Sequence, residues 1–416
     1  MVSDVIIIGG GSAGLCAAVY LKRNNKNLSV RILEALPRVG KKLALTGNGR
    51  CNITNSDITL EHYHGKEVDF CEYALYKYNR YFTEDFFLSI GVPFVFEDKK
   101  AYPSSLQAAS VVDCLRFAAD ELGVITHTET KVTNIQISDG NYKIIADSMS
   151  FMAKNVIIAS GLLSGGEKLG CDGSILSILK KAGYKTVKTA PSIVQLKTPT
   201  DIVKQLKGIK INAEVSLKRD GKLIRKDFGE TLFCDYGLSG PPVMQVSGEV
   251  GRNNGEYEIS LDILPDSSFS QTLSQLERRV KLLKNRKLDE FFTGMLNKRL
   301  GQVVLKISGL SINDSVSVLD STKLKKITSV LKGMKFKVLG TTGFSNSQVT
   351  SGGITTNQFD CETMMSKTDK RLYAVGEILD IDGDCGGFNL QWAWSSAFCA
   401  AESILKDFNN DFNKQH

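Results

Sequence analysis

The chain begins as an alternation of short apolar runs and polar breaks. Val5-Ile6-Ile7-Ile8 is a β-branched run with no polar interruption, the pattern of a parallel strand buried on both faces. Glycines follow at once, and Leu15, Ala18, Val19 and Leu21 then fall at helical spacing over Leu15 to Lys22. Val30-Arg31-Ile32-Leu33 reads as a second strand. A third run, from Asn155, ends in the small residues Ala159, Ser160 and Gly161. Leu372-Tyr373-Ala374-Val375 is a fourth strand, and a helix rich in Ala and Ser is expected from Trp392 to Leu405. Strands alternating with helices predict an α/β fold.

Between roughly 188 and 342 the period changes. Residues 190–265 alternate short β-like runs with turns, including the hairpin signal Arg219-Asp220-Gly221-Lys222, and suggest a small barrel or sandwich. From Pro265-Asp266 the spacing of Leu273, Leu276, Val280 and Leu283 is helical. Shorter helices are expected at 291–300, 302–308 and 323–331, and β structure resumes at Phe336. The predicted domains are 1–187 and 343–416, forming one split domain, with 188–265 (β) and 266–342 (helical) inserted.

Composition narrows the class. The 416 residues are 42% hydrophobic and 23% charged, which is ordinary for a globular protein. The net charge of +7 is dispersed. Its densest cluster, Arg278 to Lys287, reads as the wet face of an amphipathic helix and has no aromatic platform, so no nucleic-acid partner is expected. Nine cysteines without a CxxC pair argue for reduced thiols and a cytoplasmic home. His62, His64, His127 and His416 are too dispersed for a metal site; His62 and His64 alternate as on a strand, without an apparent third ligand. The N-terminus lacks a basic leader, and no run reaches the ~20 apolar residues needed to cross a bilayer. No pattern assigns an oligomeric state.

The chemistry lies at the strand ends. Gly9-x-Gly11-x-x-Gly14, with Ser12 and Ala13 opening the helix, lies between the first strand and the first helix. Gly9 allows the tight turn, Gly11 lets backbone approach a pyrophosphate, and Gly14 lets helix and strand pack closely. Glu34, twenty residues after Gly14, ends the second strand where a carboxylate can accept from ribose hydroxyls. Together these predict a dinucleotide site. An irregular stretch, Ala35 to Lys42, then leads into Thr46-Gly47-Asn48-Gly49-Arg50-Cys51-Asn52, which suits an extended cofactor, FAD. Val132 marks a strand edge near the adenine, and Ala159-Ser160-Gly161 permits a crossover close to the cofactor. Gly376-Glu377 closes the fourth strand, and an acidic, glycine-rich loop through Asp382 and Gly387 reaches Phe388, Asn389 and Leu390. The following helix can hold a flavin's pyrimidine edge at its N-terminus. The alternation Asp380/Asp382/Asp384 leaves a calcium-like loop as the alternative, although an EF-hand's terminal Glu is missing.

The segments "DVIIIGGGSAGLCAA", "GKKLALTGNGRCNITN", "GETLFCDYGLSGPPVMQVSG", "VTSGGI" and "LYAVGEILDIDGDCGGFNLQWAWSSAFCAA" resemble the BaiN-like (YhiN-like) family of NAD(P)/FAD-dependent oxidoreductases, also called aminoacetone-oxidase-type FAD-binding enzymes. The resemblance runs from Asp4 to Ala401. Where the family usually carries Ser-x-Pro and a Gly-Ser/Thr-Gly run, this chain has "LLSGGEKLGCDGS". The resemblance implies a Rossmann-like FAD-binding domain of three ββα layers, interrupted by a β-barrel-like and a small helical domain. It also implies that Lys42, Thr46, Gly47, Gly49, Arg50, Cys51 and Asn52 wrap the pyrophosphate and flavin. The residue chemistry agrees, with Lys42 and Arg50 as counter-charges and Asn52 as donor and acceptor to a ring edge. A purely structural loop is the alternative.

The function expected is that of an FAD-dependent oxidoreductase acting on a small molecule in a cleft between the flavin domain and the inserted domains. NAD(P)H would be a transient donor, because no second dinucleotide fingerprint is present. The family name implies reduction of unsaturated 3-oxo bile acids. An oxygen-using amine or aminoketone oxidase and a non-catalytic flavin-bearing regulator are the alternatives. Two residues are weak catalytic candidates. Cys51, beside Arg50, is either a low-pKa thiolate or a packing residue. Tyr236 is either a proton donor or a core tyrosine.

Overall fold

The β-branched run of the N-terminus becomes the central strand of a sheet. In the computed structural model, which describes residues 2–138, 140–147 and 149–415 and side chains as far as residue 410, the chain divides into two compact units. His416 lies outside the described residues. One unit comprises the residues up to Pro191 and those from Phe344 onward; the other is Ser192–Gly343.

In the first unit, Val2–Ile8 (β1) leads through a glycine turn into helix Ser12–Asn24 (α1) and then Val30–Leu33 (β2). Helix Ala108–Glu121 (α2) precedes Ile125–His127 (β3), and the strands Val132–Ser138 (β4), Asn141–Ala146 (β5) and Met149–Ile158 (β6) follow as an antiparallel meander. Leu372–Ala374 (β7) and the long helix Phe388–Gln415 (α3) close the unit. The sheet order is β3-β2-β1-β6-β5-β4. β6 has two partners along one edge: its first half pairs with β5 and its last residues run parallel to β7. The parallel part is therefore β3-β2-β1-β6-β7. Val5, Ile6, Ile7, Val156, Ile157 and Ile158 are fully buried, as an uninterrupted apolar run requires. Helix α1 packs against α2 and α3, and the helices share one apolar cluster with the sheet. Parallel sheet, branching meander and helical layer are the parts of a Rossmann-type FAD-binding domain. All the fingerprint elements point their C-terminal strand ends to one edge, where open α/β sheets bind ligands.

The second unit is built on a seven-stranded antiparallel sheet that starts with Met334–Val338 and ends with Gly340–Thr341. These two strands are nearly continuous in sequence. The segment 334–341 thus pairs first with Tyr257–Asp262 and then with Leu196–Lys197, which curls the sheet back on itself like a barrel. Val215, Leu217, Phe233, Leu238, Ile259, Leu261 and Phe336 form its core together with helix residues Leu276, Leu300, Val304 and Ile327. The helical part and the barrel share this single apolar cluster. The two helices expected at 291–300 and 302–308 are corrected to one, Lys298–Ile307. Asn297 starts it, accepting from the Arg299 amide, and Phe291 and Phe292 are instead buried in the turn before it. Among the described residues no helix is long and apolar enough to cross a membrane.

Candidate functional site

The turn after β1 shows why three glycines are needed. Gly9 has φ 105°, and a Cβ there would lie 2.6 Å from the Ala159 carbonyl oxygen and 2.7 Å from Ser160 Cα. The small residues ending β6 are thus pressed against the turn. A Cβ on Gly14 would lie 1.9 Å from the Gly9 carbonyl oxygen, so helix and turn can meet only through glycine. Gly11 differs. Nothing lies within 4 Å of its would-be Cβ. Its open side borders the first turn of α1, where Ser12 and Ala13 sit, no side chain caps the helix and no acidic residue neutralises it. First-turn amides have no intrahelical acceptor, so this end offers donors and partial positive charge to an anion.

Glu34 is fixed by two backbone donors. Gly10 N–H donates to Oε2 (2.8 Å) and Leu36 N–H to Oε1 (2.9 Å). A carboxylate has about four lone-pair sites, so acceptor capacity is left for ribose hydroxyls. Burial pushes its carboxyl above the usual range despite those two bonds. The Thr130 amide donates to the Glu34 carbonyl (2.8 Å), which brings the start of β4, and buried Val132, towards this corner.

The loop 46–52 is a left-handed turn. Gly47, Asn48, Gly49 and Cys51 have φ of 57°, 55°, 82° and 59°. For Asn48 and Cys51 this conformation is sparsely populated, the kind of strain that clusters at ligand sites. The Thr46 hydroxyl donates to the Leu43 carbonyl (2.7 Å). The Arg50 guanidinium pairs with Glu97 and lies 4.3 Å from the centre of the Tyr102 ring. Cys51 is fully buried, and burial pushes its thiol up to about 12. It is therefore a neutral thiol near pH 7, which fits packing and not a thiolate nucleophile. Asn52 is buried, and its Oδ1 has no hydrogen-bond partner among the described residues. Such an atom costs about 1–3 kcal/mol if it stays unpaired.

Glu377 organises the centre. Lys42 Nζ donates to its Oε2 (2.5 Å), while the Thr350 amide (2.9 Å) and Ser164 hydroxyl (3.0 Å) donate to Oε1. Thr350 Oγ1 in turn accepts from the amides of Leu163 and Ser164. This arrangement ties the segment after Gly161 to the "VTSGGI" strand, Val349–Ile354, and to the loop after β7. Thr350 lies in the "VTSGGI" segment and Ser164 in the run "LLSGGEKLGCDGS", but neither stands out there as a site residue. Their common contact with Glu377 is what brings them into the site, and it is invisible in a linear reading.

The helix after the acidic loop starts at Phe388, four residues before the expected Trp392. A Cβ on Gly387 (φ 98°) would lie 2.7 Å from Thr54 backbone and 2.9 Å from Asn52 Oδ1. The helix N-terminus and the orphaned oxygen are thus neighbours. Asn389 holds the loop by accepting from Gly383 N–H (2.8 Å) and donating to Gly383 O (2.7 Å); Leu390 packs against the core. Buried Gln391 bonds Thr54, Tyr78, Thr83 and Ser395, and Trp392 donates to the Gly376 carbonyl. The three loop aspartates do not converge on one point. Asp380 accepts from the Lys66 amide, Asp382 sits buried in a two-residue bridge with His64, and Asp384 meets both His62 and His64. Among the described residues no group of three or more His, Cys, Asp or Glu is placed to hold a metal.

Tyr236 belongs to the second unit. Its carbonyl accepts from the Thr198 amide, and burial, with Cys234 beside it, pushes its hydroxyl above the usual range.

An open helix end, a positioned acid, a half-buried cation and an orphaned amide oxygen on one edge of a Rossmann sheet define an FAD-dependent oxidoreductase. Residues 3–403 match the HI0933-like protein Rossmann domain family, and the chain belongs to that family. It is 32% identical over 403 residues to a 3-dehydro-bile acid delta(4,6)-reductase of Clostridium scindens, covering 96% of this chain and 98% of the relative. It is 26% identical to a ribosomal RNA dihydrouridine synthase of Haemophilus influenzae, covering 97% and 99%. The solved 3-ketosteroid delta1-dehydrogenase of Sterolibacterium denitrificans shares the fold at a TM-score of 0.50 and 11% identity, covering 98% of this chain and 100% of that one.

Proposed function

We propose that this enzyme saturates a carbon–carbon double bond conjugated to a carbonyl, with electrons passed from NAD(P)H through FAD. The observation that carries the reading is the unpaired Asn52 Oδ1 beside the N-terminal end of α3. A polar ring edge of the cofactor would satisfy the oxygen, and the helix end would favour negative charge built up there on reduction. The cofactor supplies hydride exchange when bound. The chain's own residues would hold and orient it: Gly9, Gly11 and the first turn of α1 at the pyrophosphate and Glu34 at the ribose, with the Lys42–Glu377 pair as a further contact.

The names of both relatives support the reaction class. A delta(4,6)-reductase and a dihydrouridine synthase each add two hydrogens to a ring double bond in conjugation with a carbonyl. A 3-oxo steroid-like small molecule is the substrate favoured by the higher identity of the bile-acid relative. A uracil ring in RNA is the second reading. It is favoured by an exposed aromatic surface in which the Arg80 guanidinium lies 4.3 Å from the Tyr81 ring centre and 5.8 Å from that of Phe96.

The test is anaerobic rapid mixing of the FAD-loaded enzyme with NADH or NADPH, following loss of the oxidised-flavin absorbance. A conjugated 3-oxo steroid or uridine-containing RNA is then added. The expected result is bleaching by one nicotinamide and recovery of colour with one acceptor, whose product gains two hydrogens. Bleaching by an amine instead would overturn the proposal.

A further inference from the structure

We infer that Asp57, His62, Asp384 and His64 form a proton relay that serves the reduction proposed above, on which this inference rests. Saturating a conjugated double bond takes a hydride on the carbon β to the carbonyl and a proton on the α carbon. The hydride comes from the reduced cofactor, which ends oxidised. The proton needs a second source. Near the cofactor residues the buried Cys51 thiol is too weak an acid, and Glu377 is engaged by Lys42, Ser164 and Thr350. Imidazole is the side chain suited to exchanging protons near neutral pH.

Two hydrogen bonds and one slightly longer contact link the four residues. His62 Nδ1 donates to Asp384 Oδ2 (3.1 Å), and His64 Nε2 to the other oxygen of the same carboxylate (2.6 Å). His62 Nε2 lies 3.6 Å from Asp57 Oδ2, which Lys99 also holds at 2.6 Å. Exposure falls as far as the shared carboxylate: the Lys99 side chain is 66% exposed, Asp57 39%, His62 29% and Asp384 6%, while His64 on its other oxygen is 24% exposed. The inner end lies at the cofactor loop. The His62 ring stacks on Phe388, first residue of α3, at 4.2 Å, and the Tyr63 hydroxyl donates to the Phe388 carbonyl. Phe388 follows Gly387, the residue pressed on Asn52. The strand pair Tyr63–His64 with Asp382–Gly383, and the Asp384 amide on the His62 carbonyl, fix both segments. In each turnover the relay gives one proton to the α carbon and regains one from water through Asp57.

The experiment compares the FAD-loaded wild type with His62→Gln and Asp57→Asn. The flavin midpoint potential is followed across roughly pH 5 to 8, where histidine changes charge. The enzyme is then reduced by NAD(P)H and reoxidised by a conjugated 3-oxo steroid or uridine-containing RNA. The expected wild-type plot of potential against pH changes slope, and His62→Gln removes the change. Reoxidation slows at least about tenfold in His62→Gln, general-acid terms being typically larger still, while reduction by the nicotinamide keeps its rate. An FAD-loaded His62→Gln with the wild-type potential profile and reoxidation rate overturns the relay. If His62→Gln does not take up FAD, Asp57→Asn at the exposed end decides by the same readouts. If the wild type reoxidises with no conjugated carbonyl compound, the double-bond reading falls, and the potential profile still decides the relay.

Discussion

Single residues divide between those the fold needs and those the ligand needs. Gly11 belongs to the second group. It has φ −82° and ψ −162°, which alanine adopts freely, and its Cβ would meet no protein atom within 4 Å. Gly11→Ala is therefore expected to leave the apoprotein as stable or up to about 1 kcal/mol more stable. It should still weaken FAD binding at least about tenfold, because backbone must approach the pyrophosphate there. Apoprotein melting and fluorescence titration with FAD check the two halves. Gly14→Ala should instead destabilise by about 1–3 kcal/mol or more, since its Cβ would run into the Gly9 carbonyl. Both roles are legible in the spacing. Cys51 is not legible in that way. Its neighbour Arg50 suggests an activated thiol, but Arg50 is engaged by Glu97 and Tyr102, and burial pushes the thiol up to about 12. Native protein treated with iodoacetamide near pH 8 should label exposed Cys361 and spare Cys51, as peptide mapping would read.

Elements are joined by contacts between segments far apart in sequence. Asp4 on β1 accepts from the Ser29 amide and hydroxyl before β2, and from Lys154 on β6 (2.8 Å). Burial alone would raise its carboxyl, but the Lys154 ammonium and the two Ser29 donors win and hold it below the usual range. A depressed carboxyl contributes stability above the unfolded pKa, about 3.9 for aspartate, and loses it as pH falls through the folded value. Asp4→Asn should thus cost about 1 kcal/mol at neutral pH, with a gap to wild type that closes on acidification below about pH 4. Urea titrations at several pH values test this. In this unit β1, β2, β6, β7 and α1 were readable from apolar periodicity, whereas helix α2 and strands β3 and β5 were not. The true start of α3 was not, because Phe388 to Gln391 look like loop until Gly387 is seen pressed onto Thr54 and Asn52.

At the scale of the whole chain, the insertion leaves the first unit through strand Thr186–Ser192 and re-enters ahead of Val349–Ile354, and these two strands pair. A Cβ on Gly352 would lie 2.3 Å from the Lys188 carbonyl, so the two crossings run close together. Replacing residues 192–343 with a short Gly/Ser linker is therefore expected to leave a folded, yellow first unit. Its FAD-to-protein absorbance ratio should approach that of the full chain. A colourless product would show that the Rossmann unit does not hold the cofactor by itself.

Local pattern determined the parallel strands β1, β2, β6 and β7, the glycine turn, the acid after β2 and the change of period near residue 188, because each depends on neighbours within a few positions. The FAD fold follows from these. The tertiary structure alone decided which polar atoms are satisfied. Glu377 gathers Lys42, Ser164 and Thr350, and Asp384 joins His62 to His64 across some 320 positions of sequence. No spacing rule spans such distances. A histidine pair without a third ligand in the sequence finds its carboxylate only when the chain has closed on itself, because side-chain partnership depends on position in space and not on separation along the backbone.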